Sequence, residues 1–275
     1  MTLSDVVFLG LVHHEDPART ESQKNQAVLI AQKLLGAGIH VVTVEEFRQQ
    51  LLDPANKSRI GLRAAVFRRL WAQEIHHLRE IRRRRGSPLT IPFRKRRQAL
   101  GRVFSVVWEQ KLLFHAFRRL EIEAALSLKH VRIWNTVVES DAIGAIVLED
   151  DFFLRSESSP ADVASLVRDG FHDHDLIDLA GGLTRESLGL PESQGQDLSL
   201  PFLVANTTCA YFISKRACHA LVEMLAANEE LLYLAPDFLI TELNVTDFEG
   251  STLLPYKLPL VHGSRDGTVE SSIPY

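Results

Sequence analysis

The chain opens on an unbroken apolar run, Val6-Val7-Phe8-Leu9-Gly10-Leu11-Val12, with the length and branching of a buried strand. Gln26, Leu29, Ile30, Lys33 and Leu34 then trace a helix, with Gly36 and Gly38 as its C-terminal stop signals. Ile39 to Val44 is a second apolar strand, and a β-α-β opening implies parallel strands joined by a right-handed crossover. Between residues 46 and 120 the period changes. Val66, Phe67, Leu70, Trp71, Ile75 and Leu78 recur at helical spacing, with Arg63, Arg68, Arg69, Arg79 and Arg82 to Arg85 on other faces. Gly86-Ser87-Pro88 and Pro92 break the pattern. A second helical run follows through Leu100, Val103, Phe104, Val107, Trp108, Leu112 and Phe117, so an α-helical hairpin is expected after the second strand. From residue 121 the α/β character returns, with a helix from about Glu121 to Ser140 and strands at Ala145 to Leu148, Leu176 to Ala180 and Ala210 to Ile213. The pattern predicts one α/β domain over residues 1–275. Its central sheet is mostly parallel and Rossmann-like, flanked by helices, with a helical insertion at 46–120. No Gly-x-Gly-x-x-Gly follows the first strand, so the dinucleotide fingerprint of dehydrogenases is missing.

With 275 residues, 45% of them apolar and 24% charged, the chain has material for a large core. Disordered, collagen-like and disulfide-stapled classes are excluded. Cys209 and Cys218 are too few for a disulfide framework or a four-cysteine zinc site, and read as small buried residues in a reducing compartment. Met1 to Gly10 lacks the basic start and cleavage site of a signal peptide, and the uncharged stretch Leu198 to Ser214 is too short and polar to span a bilayer. A cytoplasmic location is expected, with attachment to the inner face of the cytoplasmic membrane left open.

The net charge of -4 hides a segregation. From Arg59 to Arg119 there are 17 Lys/Arg against three acids, a local charge of +14 that leaves -18 on the rest. Three readings of this basic hairpin stand. Its cations beside Phe67, Trp71, Phe104, Trp108 and Phe114 suit an anionic membrane surface. They also suit a phosphate backbone, or a solvated face whose aromatics pack inward. The first is favoured slightly over the third. Nucleic acid ranks last and is not expected as a partner, because nothing elsewhere resembles a nucleic-acid module.

The strongest chemical signal is Ala145-Ile146-Val147-Leu148-Glu149-Asp150-Asp151-Phe152-Phe153, a strand ending in three acids between two apolar runs. Ligands of open α/β sheets bind beyond the carboxyl ends of the strands. Carboxylates there can hold a divalent cation whose shell is completed by substrate phosphates, which suits a diphosphate leaving group. The plainer alternative is an acidic turn. His172-Asp173-His174-Asp175 has alternating ligands that could bind zinc on a strand, but reads better as a polar loop. Gly181-Gly182 is either a close approach to a ligand or a turn. Thr207 and Thr208 are acceptor-facing hydroxyls or strand formers, Trp134 reads as a core anchor ahead of a sugar-stacking platform, and His13-His14-Glu15 is a nucleotide contact or an exposed loop.

Four segments in order, Lys129-His130-Val131-Arg132-Ile133-Trp134, Ile146-Val147-Leu148-Glu149-Asp150-Asp151, Asp175-Leu176-Ile177-Asp178-Leu179 and Thr208-Cys209-Ala210-Tyr211-Phe212-Ile213-Ser214, resemble glycosyltransferase family 25. That family includes lipopolysaccharide-biosynthesis galactosyl- and glucosyltransferases. The similarity covers roughly residues 125–265, about half the chain. The resemblance implies a GT-A fold, a nucleotide-sugar donor, a glycan or lipid-linked glycan acceptor, and Mn2+ (or Mg2+). On it, Asp151 is the direct metal ligand, Glu149, in the place of the first aspartate of an Asp-x-Asp signature, is a further metal ligand and donor contact, and Asp150 is a donor contact. Ala235-Pro236-Asp237-Phe238-Leu239 is similar to the family's late Pro-x-Asp segment. Leu258-Pro259-Leu260-Val261-His262 is similar to its closing segment, which makes His262 a second metal ligand. The family's opening strand is echoed only by Leu9-Gly10-Leu11-Val12-His13 and by Arg19, the donor contacts Gly10, His13 and Arg19 resting on that echo. The basic hairpin lies outside the family pattern.

The function these readings predict is a metal-dependent transferase. It moves a hexose from UDP-galactose or UDP-glucose to a bacterial surface glycan, with inversion, using Asp237 as the base that takes the acceptor proton. Pro236 before Asp237 and Phe238-Leu239-Ile240 after it predict a helix N-terminus, so Asp237 reads equally well as a helix cap. Glu242 is the reserve base. Two other classes stand beside this one: a nucleotidyltransferase, for which no glycine-rich phosphate loop is found, and a non-catalytic adaptor working through the basic hairpin.

Overall fold

The computed structural model describes residues 6–12, 17–36, 40–47, 67–68, 70–71, 73–75, 78–79, 92–108, 126–181, 195–205, 208–228, 231–232 and 234–263. Strand β1 (Val6–Val12), helix α1 (Pro17–Gly36) and strand β2 (His40–Phe47) form the expected opening unit, and β1 and β2 pair in parallel. Pro17 starts α1 where a missing backbone N–H costs nothing. After helix α2 (Phe93–Trp108) and a helix over residues 126–139, here α3, come β3 (Gly144–Glu149), β4 (Phe152–Leu154) and α4 (Pro160–Gly170). Then follow β5 (Leu176–Asp178), β6 (Leu198–Leu200), β7 (Ala210–Ser214), α5 (Lys215–Ala227), α6 (Pro236–Glu242), β8 (Thr252–Leu254) and β9 (Leu260–His262). The three-residue strands β4, β6, β8 and β9 are too short for periodicity to reveal.

Seven strands form one sheet in the order β2-β1-β3-β7-β5-β8-β6, and β4 pairs with β9 in a separate ribbon. The fold is α/β, as expected, but the sheet is mixed. β1 is parallel to β2 and β3, and β5 to β8, whereas β7 runs antiparallel to both its neighbours and β6 to β8. The expectation of a mostly parallel sheet extended the β-α-β opening to the whole chain. Antiparallel neighbours need no crossover helix, so that rule does not reach β6 and β7.

Side-chain parity on β3 and β7 sorts the core into two layers. Ile146, Leu148, Ala210 and Phe212 face one way, against Ala27, Ile30 and Leu34 of α1 and Val163, Ala164 and Val167 of α4. Ala145, Val147, Tyr211 and Ile213 face the other way, against Ile133, Trp134 and Val137 of α3, Ala217, Cys218 and Leu221 of α5, and Leu239 and Ile240 of α6. Both faces of the central strands are therefore covered, which is why they read as continuous apolar runs. Gly10 is part of this packing: a Cβ there would lie 2.6 Å from Cδ1 of Ile133.

In the insertion, β2 extends to Phe47, past the residue 46 boundary expected from periodicity. The described residues between 67 and 79 are helical. They pack on α2 as the hairpin reading requires, with Phe67 and Phe104 ring centroids 5.4 Å apart and Arg102 bonded through Nε to Glu74 at 2.8 Å. Leu112, Phe117 and the break at Gly86-Ser87-Pro88 lie outside the described residues.

Candidate functional site

Glu149 is the last residue of β3, and by alternation it points to the same face as Ala145 and Val147, toward α3. One turn of α3 places His130 there, and Tyr211 reaches the same spot from β7. His130 Nε2 is 3.2 Å from Glu149 Oε1, His130 Nδ1 is 2.7 Å from the Tyr211 hydroxyl, and Trp134 Nε1 is 3.3 Å from that hydroxyl. The proton positions follow from what each group can do. The indole N–H only donates, so the Tyr211 oxygen accepts from Trp134. An ionised carboxylate only accepts, so His130 Nε2 carries a proton toward Glu149. Burial pushes the Tyr211 phenol well above its ordinary range, so the hydroxyl keeps its proton. The Thr208 hydroxyl donates to the same Glu149 oxygen from the other side. Burial opposes the charge on Glu149. The hydrogen bond and charge of His130, then the Thr208 hydroxyl and the charge of His262, outweigh it and hold the carboxyl below its usual value. Trp134, Tyr211, His130, Glu149 and Thr208 thus form one hydrogen-bonded relay at the carboxyl end of β3.

Just beyond Glu149 the chain turns through Asp150 and Asp151, both buried, and enters the β4–β9 ribbon. Phe152 pairs with His262, and the Gly263 N–H donates to the Asp151 carbonyl at 2.7 Å. This register sets His262 Nδ1 3.5 Å from Asp151 Oδ2. A side chain at Gly263 would begin 3.0 Å from the Asp151 carbonyl and 2.4 Å from the Phe153 ring, so glycine permits the close approach. The Glu149 N–H donates to the Cys209 carbonyl at 2.7 Å, which brings Cys209 to the same corner. Among the described residues, Asp151, Cys209 and His262 form the one group of three ligating side chains, with an atom from each within 4.8 Å of the others.

A carboxylate oxygen and an imidazole nitrogen fit Mn2+, and fit the oxygen-preferring Mg2+ less well. Cys209, the third member, would have to lose its proton to join that set, which only a bound cation would favour. Burial first, then the charges of Asp151 and Glu149 and a hydrogen bond to Asp151, push its thiol well above the ordinary value. It sits beside Asp151 and His262 as a protonated S–H.

The other expected site residues fall as follows. Glu149 has one oxygen engaged by His130 and Thr208, so it borders the trio without belonging to it. Gly10 lies within β1 against Ile133, and Arg19 is carried by the first turn of α1. His13 lies outside the described residues. Asp237 is at the second position of α6, with Ala235 as the cap. The cap therefore lies two residues before Asp237, whose Oδ1 accepts from the Phe238 N–H at 2.9 Å. Ser127, at the start of α3, donates to the Leu234 carbonyl at 2.7 Å, which ties the segment entering α6 to the helix that carries His130. Glu242 is buried and bonded to Arg79 of the insertion at 2.6 Å.

The remaining motifs take structural roles. His174 bonds the Gly170 carbonyl and the Ser199 hydroxyl, and Asp175 holds Arg216, Ser214 and the Ser251 N–H. That matches the polar-loop reading of 172–175. Gly181, at φ +71, closes a turn in which Asp178 accepts its N–H at 2.7 Å. Thr208 serves Glu149 directly, a role neither of its expected readings contained. Cys209, His130 and Tyr211 had no site role in the sequence. Strand parity at Glu149 and Tyr211 was the signal that could have linked them.

At the far end of the β4–β9 ribbon a cleft of about 910 Å³ opens, lined among others by Arg155, Asp197, Tyr256 and Lys257. Three residue pairs of ribbon put it roughly 10 Å from Asp151 and His262. No protein-family model matches this chain, and no curated protein matches it.

Proposed function

We propose that this protein is a metal-dependent glycosyltransferase of GT-A type. It moves a hexose from a nucleotide sugar, UDP-galactose or UDP-glucose first, to a bacterial surface glycan. The observation that carries the reading is the meeting of Asp151 and His262. Resemblance alone paired them as metal ligands, and they stand 3.5 Å apart at the carboxyl end of a central strand, where α/β sheets bind ligands. The resembling segments around His130, Glu149 and Thr208-Tyr211 also converge, in one relay beside that pair.

Asp151 and His262 are the residues that would hold the cation, which when bound neutralises charge on a departing diphosphate. The relay favours the ionised form of Glu149 and fixes its direction. In an inverting transfer the acceptor oxygen bonds to the anomeric carbon as the carbon–diphosphate bond breaks, and Asp237 takes the acceptor proton. Helix α6 supports that role, since a carboxylate in a first turn is favoured as the anion. The cleft lined by Tyr256 and Asp197 offers room for a glycan leading toward the site.

The test is titration calorimetry of UDP, GDP and CMP against the purified protein, with and without Mn2+, beside Asp151→Ala. Manganese-dependent binding of one nucleotide that is lost in the variant is expected. A folded protein that binds none of the three overturns the reading.

A further inference from the structure

Helix α2 shows solvent two chemistries at once. Phe93, Arg97, Phe104 and Trp108 are spaced by four, seven and four residues, which at 100° per residue sets them on one face. Phe93 is 81% exposed, Phe104 47% and Trp108 72%, while Ala99, Val103 and Val107 fill an adjacent, buried side. The rings run along about 22 Å of helix, a straight line rather than a pocket. Arg94, Lys95, Arg96 and Arg97 are all exposed in the first turns, where no acid accompanies them. Cations at a helix N-terminus oppose its dipole, so neighbouring anions would relieve that end, while the exposed rings favour an apolar layer.

The two demands are met together by a surface with an apolar layer under a sheet of negative charge. We propose that α2 is an interfacial helix that docks this protein on an anionic lipid bilayer. The rings of Phe93 and Trp108 enter the acyl boundary, and Arg94 to Arg97 meet the headgroups. A nucleic-acid groove is the poorer match, because base reading asks for polar side chains along the facing stripe, and this stripe is mostly aromatic. Contacts within the insertion hold the helix in position. Arg102 is bonded to Glu74 and Phe104 touches Phe67, while Arg79 of the same insertion is anchored on Glu242 of α6. No described helix is long and apolar enough to cross a membrane, so docking along the surface is the mode that fits. The proposal is independent of the reaction catalysed.

The experiment is co-sedimentation of the full chain with vesicles of phosphatidylcholine alone and of phosphatidylcholine with phosphatidylglycerol, while tryptophan emission is recorded. Binding to the anionic vesicles only, weakened by salt and accompanied by a blue shift, is expected. Arg94→Ala with Arg97→Ala should lower partitioning roughly 30-fold, from about 1 kcal/mol per cation near the surface. Phe93→Ser with Trp108→Ser should remove the blue shift, and both pairs should melt as the parent does. Absence of binding to anionic vesicles overturns the proposal. So does equal binding to neutral ones, or a duplex or single-stranded oligonucleotide that displaces the protein from vesicles.

Discussion

His262 and Asp151 face each other across the start of the β4–β9 ribbon, with Nδ1 3.5 Å from Oδ2, and the pairing of Phe152 with His262 fixes that approach. If the pair is a metal centre, Asp151→Ala and His262→Ala should each weaken Mn2+ binding by about 10- to 100-fold or more. Electron paramagnetic resonance of added Mn2+ reads free against bound ion directly. Unchanged Mn2+ binding in both variants would remove the pair from any metal role.

The relay makes a separate forecast about stability. Tyr211→Phe keeps the ring but removes the hydroxyl that bonds both His130 and Trp134, all three residues being buried. Urea unfolding should show a loss of about 1–3 kcal/mol. A variant as stable as the parent would mean that the relay is not formed.

Gly144 begins β3 where the sheet leaves no room for a side chain. A Cβ would sit 2.4 Å from the Ile213 carbonyl oxygen and 2.7 Å from the Phe212 ring. Because backbone on β7 cannot yield without breaking the ladder, Gly144→Ala should cost about 1–3 kcal/mol in thermal or urea unfolding. Gly36→Ala, with nothing near the added carbon, is the control and should not share that loss.

The start of α4 carries a pH-dependent contribution. Asp162 Oδ2 accepts from the Ser159 N–H at 2.7 Å and the Ser159 hydroxyl at 2.8 Å, and these bonds, the backbone one first, hold its carboxyl below the usual value. A depressed folded value means the stabilisation is complete above the ordinary aspartate range near about 4 and is lost as pH falls through the folded value. Asp162→Ala should therefore be the less stable protein at about pH 7, by at most about 1 kcal/mol because the group is exposed. The difference should close below about pH 4. A gap that widens in acid would contradict the assigned bonds.

The opening β-α-β unit, the strand at 144–149 and the helix at 93–108 were legible because each is long enough to show its period and is bounded by turn residues. The mixed sheet was not legible. Strands of three residues carry no period, and strand direction is set by pairing partners distant in the chain, such as Ala145 with Ile213. At the site, Asp151, Glu149 and His262 stood out by residue type and resemblance. The roles of Thr208 and Cys209 did not, since a threonine before a strand and a lone cysteine in an apolar stretch look the same whether or not a carboxylate lies beside them.

What the sequence determined by itself is local. Hydrophobic period made the helices and longer strands, the acids at the end of β3 marked the edge where the polar groups gather, and the arginine blocks charged the insertion. The tertiary structure alone decided which polar groups meet. A buried carboxylate, imidazole or hydroxyl must find a partner when water is withdrawn. The partners of Glu149 come from 19 and 59 residues away, along β3's parity and β7's register. No linear pattern encodes that distance, because it is fixed only once the two faces of the sheet are packed.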